Sequence, residues 1–303
     1  MIKNIIEITC YTDPYCTWCW GSEPVLQKLK EQYGEQIKIR YVMGGLVEDI
    51  RQFHDPANDI GGEHWYQEVA DHWLEASNHH KMPVDERVFY DMKDENFSTH
   101  PACIAYKSAT FQGEKIAHRY LRRLREAASI ERKIIQHREV QDALALEVGL
   151  DVEQFRESID SGRAFKAFYS DRLECKRKSI HGFPSYIVRG NNEEVLLNGY
   201  IPYQTFDYCL QDLSSNLLQP KEKKASMTQV LTFITRHQRV APIEVATVFD
   251  VSTQKANEIL AELTTQGLVE EKALGNGSMY SLPSNTTFCD SKSGSCFFNS
   301  EKN

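Results

Sequence analysis

The 303-residue sequence lacks several features that would each have pointed to a class of protein. No apolar run reaches the ~20 residues a membrane-spanning helix needs. Basic residues do not outnumber acidic ones. The 35 Lys and Arg stand against 43 Asp and Glu, a formal net charge of −8, so nothing global points to nucleic acid or an anionic membrane surface. There is no internal repeat. The pair Cys16-x-x-Cys19 has no second Cys-x-x-Cys to complete a four-ligand zinc set, and no His accompanies Cys289 and Cys296. No metal and no bound cofactor are expected. The start, "MIKNIIEITCYTD", is too brief and too interrupted by Lys3 and Glu7 for a secretory signal, so the expected location is the cytoplasm. Thiols there stay mostly reduced, and the eight cysteines do not read as a disulfide framework.

What is present is ordinary in bulk: 41% hydrophobic and 26% charged residues suit a folded globular protein with a sizeable core. "NIIEITCYTD" is rich in β-branched residues and ends at Asp13-Pro14, which predicts a buried strand over Ile5 to Thr12. Helical spacing follows from about Cys16 to Tyr33, with Gly34 as a stop, and "QIKIRYVMGG" alternates as a second strand over Ile37 to Met43. The following hundred-odd residues are helical in pattern. Trp65, Val69 and Trp73 share one face, Ile116, Tyr120 and Leu124 another, and two later helices meet at Gly149. After Gly182-Phe183-Pro184 come two short strands and a closing helix. "QPKEKKAS" at 219–226 is a polar linker. Beyond it, three helices and a hairpin turning near Gly275-Asn276-Gly277 have a winged-helix-like pattern.

The predicted fold class is therefore α/β. A body over 1–218 carries a helical insertion at about 57–178; after the 219–226 linker comes the winged-helix-like unit over 227–283, then a flexible tail over 284–303. Residues Met227 to Pro283 hold Arg236, Arg239, Lys255 and Lys272 against six acidic residues, two of them on the helix that would enter a groove. That balance argues against nucleic acid and favours a protein contact or a homodimer through this unit. "RYLRRLR", with Arg119, Arg122, Arg123 and Arg125, reads as a solvated helix face. His64, His72, His79 and His80 read as a surface helix, and Cys10, Cys103, Cys175 and Cys209 as inert buried thiols.

Cys16 and Cys19 sit where a strand yields to a helix. There the free backbone N–H groups and the helix dipole favour thiolate, and Cys16 is expected to be exposed and acidic. Cys19, nearly a turn further on and more enclosed, could resolve a mixed disulfide formed at Cys16. Trp18 reads equally as packing or as an apolar lip for an extended polypeptide. Cys289 and Cys296 read as incidental thiols, with a relay to Cys16 as the alternative.

The stretches "YTDPYCTWCWGSEP", "MGGL" (43–46), "RLREAA" (123–128), "GLDVEQFRESIDSG" and "HGFPSYIV" together resemble the DsbA-like branch of the thioredoxin superfamily, nearest its FrnE-type group of dithiol-disulfide isomerases, over about residues 1 to 215. The resemblance implies a thioredoxin-like fold with a helical insertion. It also implies a cis bond before Pro184, placed beside the cysteines, with Phe183 and Pro184 presenting their backbone to a substrate strand. Phe183 replaces the small residue usual there. The expected function is a cytoplasmic thiol-disulfide oxidoreductase or isomerase acting on protein or small-molecule disulfides, with Cys16 as nucleophile and Cys19 resolving. The alternative is a non-catalytic adaptor or regulator on the same framework that binds a protein partner.

Overall fold

The computed structural model describes residues 6–56 and 58–283, together with the backbone of two short strands, Thr287–Cys289 and Cys296–Phe298. The expectations for the 284–303 tail lie otherwise outside the described residues.

Strand β1 (Ile6–Thr12) is flanked on both sides, which is why its residues are nearly all buried rather than alternating. It pairs parallel with β2 (Ile37–Met43) and antiparallel with β5 (Ser185–Gly190), which in turn pairs with the edge strand β6 (Glu193–Asn198). The sheet order is β2-β1-β5-β6. Successive side chains part to opposite faces. Ile8, Cys10, Tyr186 and Val188 join the main core, whereas Tyr11, Val42 and Ile187 pack with Cys175 and Ile180 on the other side.

The helix predicted from Cys16 to Tyr33 is two helices, α1 (Thr17–Gly21) and α2 (Glu23–Tyr33). Pro24 has no N–H to give the carbonyl of Trp20, so the ladder breaks at Ser22, and the proline opens the next helix instead. After β2 a small pairing of β3 (His54–Asp55) with β4 (Ile60–Gly61) precedes the helical block. This block comprises α3 (Trp65–His80), α4 (Val88–Asp91), α5 (His100–Thr110), α6 (Glu114–Ile130), α7 (Arg138–Glu147), α8 (Val152–Asp160) and α9 (Arg163–Arg177). Asp151 accepts from Gln154 N at 3.0 Å and so caps α8. Helix α10 (Tyr203–Leu213) closes the body against β5 and α2.

The C-terminal unit runs helix, strand, helix, helix, strand, strand: α11 (Met227–His237), β7 (Arg239–Val240), α12 (Pro242–Val248), α13 (Thr253–Thr265), β8 (Glu270–Leu274) and β9 (Gly277–Ser281). Its strands form a sheet in the order β7-β9-β8, and its interior around Phe233, Leu260 and Leu263 is a core of its own. The mixed α/β, thioredoxin-like class with a small C-terminal sheet is as predicted.

One reading of the sequence is corrected by the packing of these units. Most of "RYLRRLR" is not a solvated face: Arg119 is exposed as expected, but Arg125 is fully buried, and Arg122 and Arg123 are nearly so. Arg125 is enclosed within the body by Glu23 and Thr12, whereas Arg122 meets the C-terminal unit, more than a hundred residues downstream. Arg122 bonds the fully buried Glu244 at 2.6 Å and Glu126 at 2.6 Å, and Arg239 bonds Glu126 at 2.6 Å and Glu131 at 2.5 Å. The 219–226 linker runs along the body: Lys223 pairs with Glu31 at 3.0 Å, and Lys221 N donates to Gln32 O at 2.9 Å. At the far end of the seam, Asn276 Oδ1 accepts from Val84 N at 2.8 Å. Gly275, at φ +57°, lets the turn lie against the Val84 carbonyl, which a Cβ would meet at 2.2 Å.

Candidate functional site

Cys16 is the N-cap of α1, and its sulfur accepts a hydrogen bond from the Cys19 amide at 3.1 Å. The expected local design is present: a strand ends, the backbone turns at Asp13-Pro14, and the first helical amides face a sulfur. The peptide bond between Phe183 and Pro184 is cis, as the resemblance implied, and it lies beside this sulfur: the Cys16 thiol donates to the Phe183 carbonyl at 3.4 Å.

Solvation differs from the expectation. Cys16 is only 5% exposed, and Cys19 is buried as well. The Phe183 ring packs into the space left by Gly44, where a Cβ would come within 1.8 Å of it, and it leans on the Cys175, Ile180 and Ile187 cluster. Burial pushes the Cys16 thiol well above its ordinary range, and the hydrogen bond to Cys19 adds to the rise. Burial would raise Cys19 too, but the hydrogen bond from Cys16, the Arg125 charge and a bond from Thr12 outweigh it and lower that thiol. Within the pair, the negative charge is favoured on Cys19. The exposed, acidic Cys16 read from the helix dipole is absent, because amides at the start of a five-residue helix do not offset removal from water.

Beneath the pair lies a polar cluster that the sequence did not single out. Arg125 bonds Glu23 and donates to Thr12 Oγ1 at 2.5 Å. Glu23 is held below its usual range: burial opposes this, but the Arg125 and Arg122 charges prevail. Asp13 is fully buried and accepts from Tyr15 N at 2.9 Å, Leu46 N at 2.7 Å and Thr99 Oγ1 at 2.6 Å, tying the Cys16 turn to the Gly44–Leu46 loop and to α5. Burial nevertheless pushes its carboxyl up. One signal could have found Arg125: it lies four residues after Leu121, on the inward stripe of α6.

Trp18 is half-buried in an aromatic cluster, with ring centroids 5.3 Å from His79, 5.9 Å from His80 and Tyr200, and 6.5 Å from His72. The histidine-bearing helix is thus part of the site's rim rather than a plain surface helix. His80 is buried, its Nδ1 accepting from Met82 N at 3.1 Å. Burial, with the neighbouring His79, lowers it to about 4, which keeps it neutral at pH 7. Among the described residues no group of His, Cys, Asp and Glu is placed to hold a metal ion. Cys10, Cys103, Cys175 and Cys209 are buried free thiols, as predicted. No described helix is long and apolar enough to cross a membrane.

Comparison with known proteins divides by how much of this chain each relative covers. A cytosolic disulfide reductase, DsbM from Pseudomonas aeruginosa, superposes with a TM-score of 0.55 at 20% identity, covering 69% of this chain and 100% of its own. That likeness establishes the fold of the body. Relatives that extend across both units carry a different name. "ClpXP adapter protein SpxH" from Halalkalibacterium halodurans is 27% identical over 281 residues, 92% of this chain and 89% of its own. The protein of the same name from Shouchella clausii is 28% identical, over 88% and 85%. These relatives overturn the oxidoreductase or isomerase function expected from the sequence and favour its adaptor alternative. The family model described as thioredoxin matches residues 10–208, about two thirds of the chain, and the chain belongs to that family.

Proposed function

We propose that the protein is an adapter that binds a client protein and presents it to the ClpXP protease in the cytoplasm, its thioredoxin-fold body serving as a binding framework. The observation that carries this reading is the extent of the match. The adapter relative from Halalkalibacterium halodurans covers 92% of this chain, more than the body alone supplies, whereas the disulfide reductase, matched over its whole length, covers 69%. The site supports it physically. A nucleophilic cysteine is normally exposed and low in pKa, while the Cys16 sulfur is enclosed beside the Phe183 carbonyl and burial pushes its thiol up. On this reading Cys16, Cys19, Phe183 and Pro184 shape one wall of the body, and Trp18 with its surrounding histidines forms a rim open to a partner. The C-terminal unit, read as a winged-helix module, is used for protein contact.

The test is degradation in a soluble cell extract supplied with ATP and ClpXP, with and without the full chain, read by quantitative mass spectrometry. A small set of proteins is expected to decay faster only when chain, protease and ATP are all present, and equally fast with a Cys16→Ser, Cys19→Ser double variant. Acceleration of no protein by the wild-type chain overturns the adapter reading. A requirement for both sulfurs overturns its non-catalytic character.

A further inference from the structure

Helix α9 is apolar on two sides. Ala164, Phe168, Asp171 and Cys175 form the inward stripe that seats it on the body, with Asp171 accepting from Met43 N at 2.9 Å and from Lys107 at 2.9 Å. The outer side carries a second stripe with no structural duty: Phe165, Tyr169 and Leu173 recur every four residues and are 53%, 52% and 39% exposed. A lone exposed apolar residue needs no explanation, but three in one helical row form a contiguous patch. Exposed Leu46 lies in the neighbouring loop, which Arg172 ties to α9 through Glu48 at 3.0 Å.

The charge around this stripe is mostly basic, with exposed Glu48 paired to Arg172. Lys166, Lys176 and Arg177 are exposed on the same helix, and the only acids on α9 are engaged elsewhere, Asp171 by Lys107 and Glu174 by Arg40 at 2.6 Å. A chain of net charge −8 thus places a basic border around an apolar stripe. Apolar anchors supply affinity, and surrounding charge selects the partner and speeds encounter.

We propose that the outer face of α9 is a docking site for an acidic amphipathic helix of the client protein, whose apolar side chains at i, i+4 and i+8 interleave with Phe165, Tyr169 and Leu173 while its carboxylates face Lys166, Lys176 and Arg177. This rests on the adapter reading and adds to it the place and chemistry of client capture.

The test uses the full chain and a fluorescein-labelled synthetic helical peptide with Leu at i, i+4 and i+8 bordered by Glu, beside a counterpart with Lys for each Glu. By fluorescence anisotropy, the acidic peptide is expected to bind on the order of tenfold tighter than the basic one. A Phe165→Ser, Tyr169→Ser double variant is expected to weaken it on the order of tenfold or more. A Lys166→Glu, Lys176→Glu double variant is expected to erase or invert the preference. Equal binding of the two peptides, or unchanged binding by the serine variant, overturns the proposal. So does a self-associated chain that the serine variant makes monomeric and the peptide does not dissociate, since the occupant is then a second copy. The serine variant in the ClpXP assay separates the two readings. Clients degraded at the wild-type rate overturn the α9 site and leave the adapter standing, whereas clients spared by this variant alone support the site.

Discussion

Two buried polar clusters share helix α6 and end in opposite conditions. On the side facing the cysteines, Arg125 is balanced mainly by Glu23, and its charge also reaches the Cys19 sulfur, while Cys16 is left a buried thiol. On the side facing the C-terminal unit, Arg122, Arg123 and Arg239 alternate with Glu126, Glu131 and Glu244 in a network joined to the first cluster through Arg122 and Glu23. In the first arrangement burial holds Cys16 as a thiol and the charge is favoured on Cys19. The second fixes how the two units meet. The ion pairs of the seam hold the two units in a set relation, as the proposed adapter role requires.

The largest expected effect comes from opening the seam. Glu126 is fully buried and touches Arg122, Arg123 and Arg239, so Glu126→Ala strands cations in the interior and is expected to cost about 3–5 kcal/mol in urea unfolding. A loss under 1 kcal/mol would place the two clusters on an equal footing and undo the contrast. Next is Gly275→Ala, which sets a Cβ against the Val84 carbonyl at a left-handed φ. It is expected to cost about 1–3 kcal/mol and to speed hydrogen exchange at the Asn276–Val84 contact.

Acid gives a third probe of similar size. Glu131 is held down to about 2: burial opposes this, and Arg123, Arg239 and Lys133 outweigh it. A carboxyl whose folded value lies below its unfolded value stabilises fully above the unfolded value, and loses that contribution as pH falls towards the folded one. Stability should therefore decline between about pH 5 and pH 2, and Glu131→Gln should remove on the order of 3 kcal/mol at pH 7 while flattening this acid limb. An unchanged melting profile for the variant would show that Glu131 takes no part in the seam.

The smallest effect belongs to the sulfurs. With burial holding the Cys16 thiol well above its ordinary range, alkylation of native Cys16 at pH 7 should run at least about tenfold slower than that of a free cysteine, and should quicken only as pH rises well past 9. Cys16→Ser keeps a donor for the Phe183 carbonyl and should change stability by about 1 kcal/mol or less. Fast alkylation at neutral pH would reverse the comparison and return chemistry to the Cys16 site.

By itself the sequence determined the β-α-β start, the cysteine pair at a helix N-terminus, the helices meeting near Gly149 and the C-terminal order of helices and hairpin. Each of these follows from β-branched runs, capping residues and chain breakers acting within a few positions. Together with Gly182-Phe183-Pro184, the pair also carried the resemblance that foretold the cis bond. Only the tertiary structure decided what is wet and what is dry. Cys16 is closed off by Phe183, 167 residues away, and Arg122 is drawn inward by Glu244, 122 residues away. The solvation of a sulfur or a guanidinium depends on which distant segment covers it, and periodicity, which reports only the neighbours along one helix or strand, carries no record of that cover.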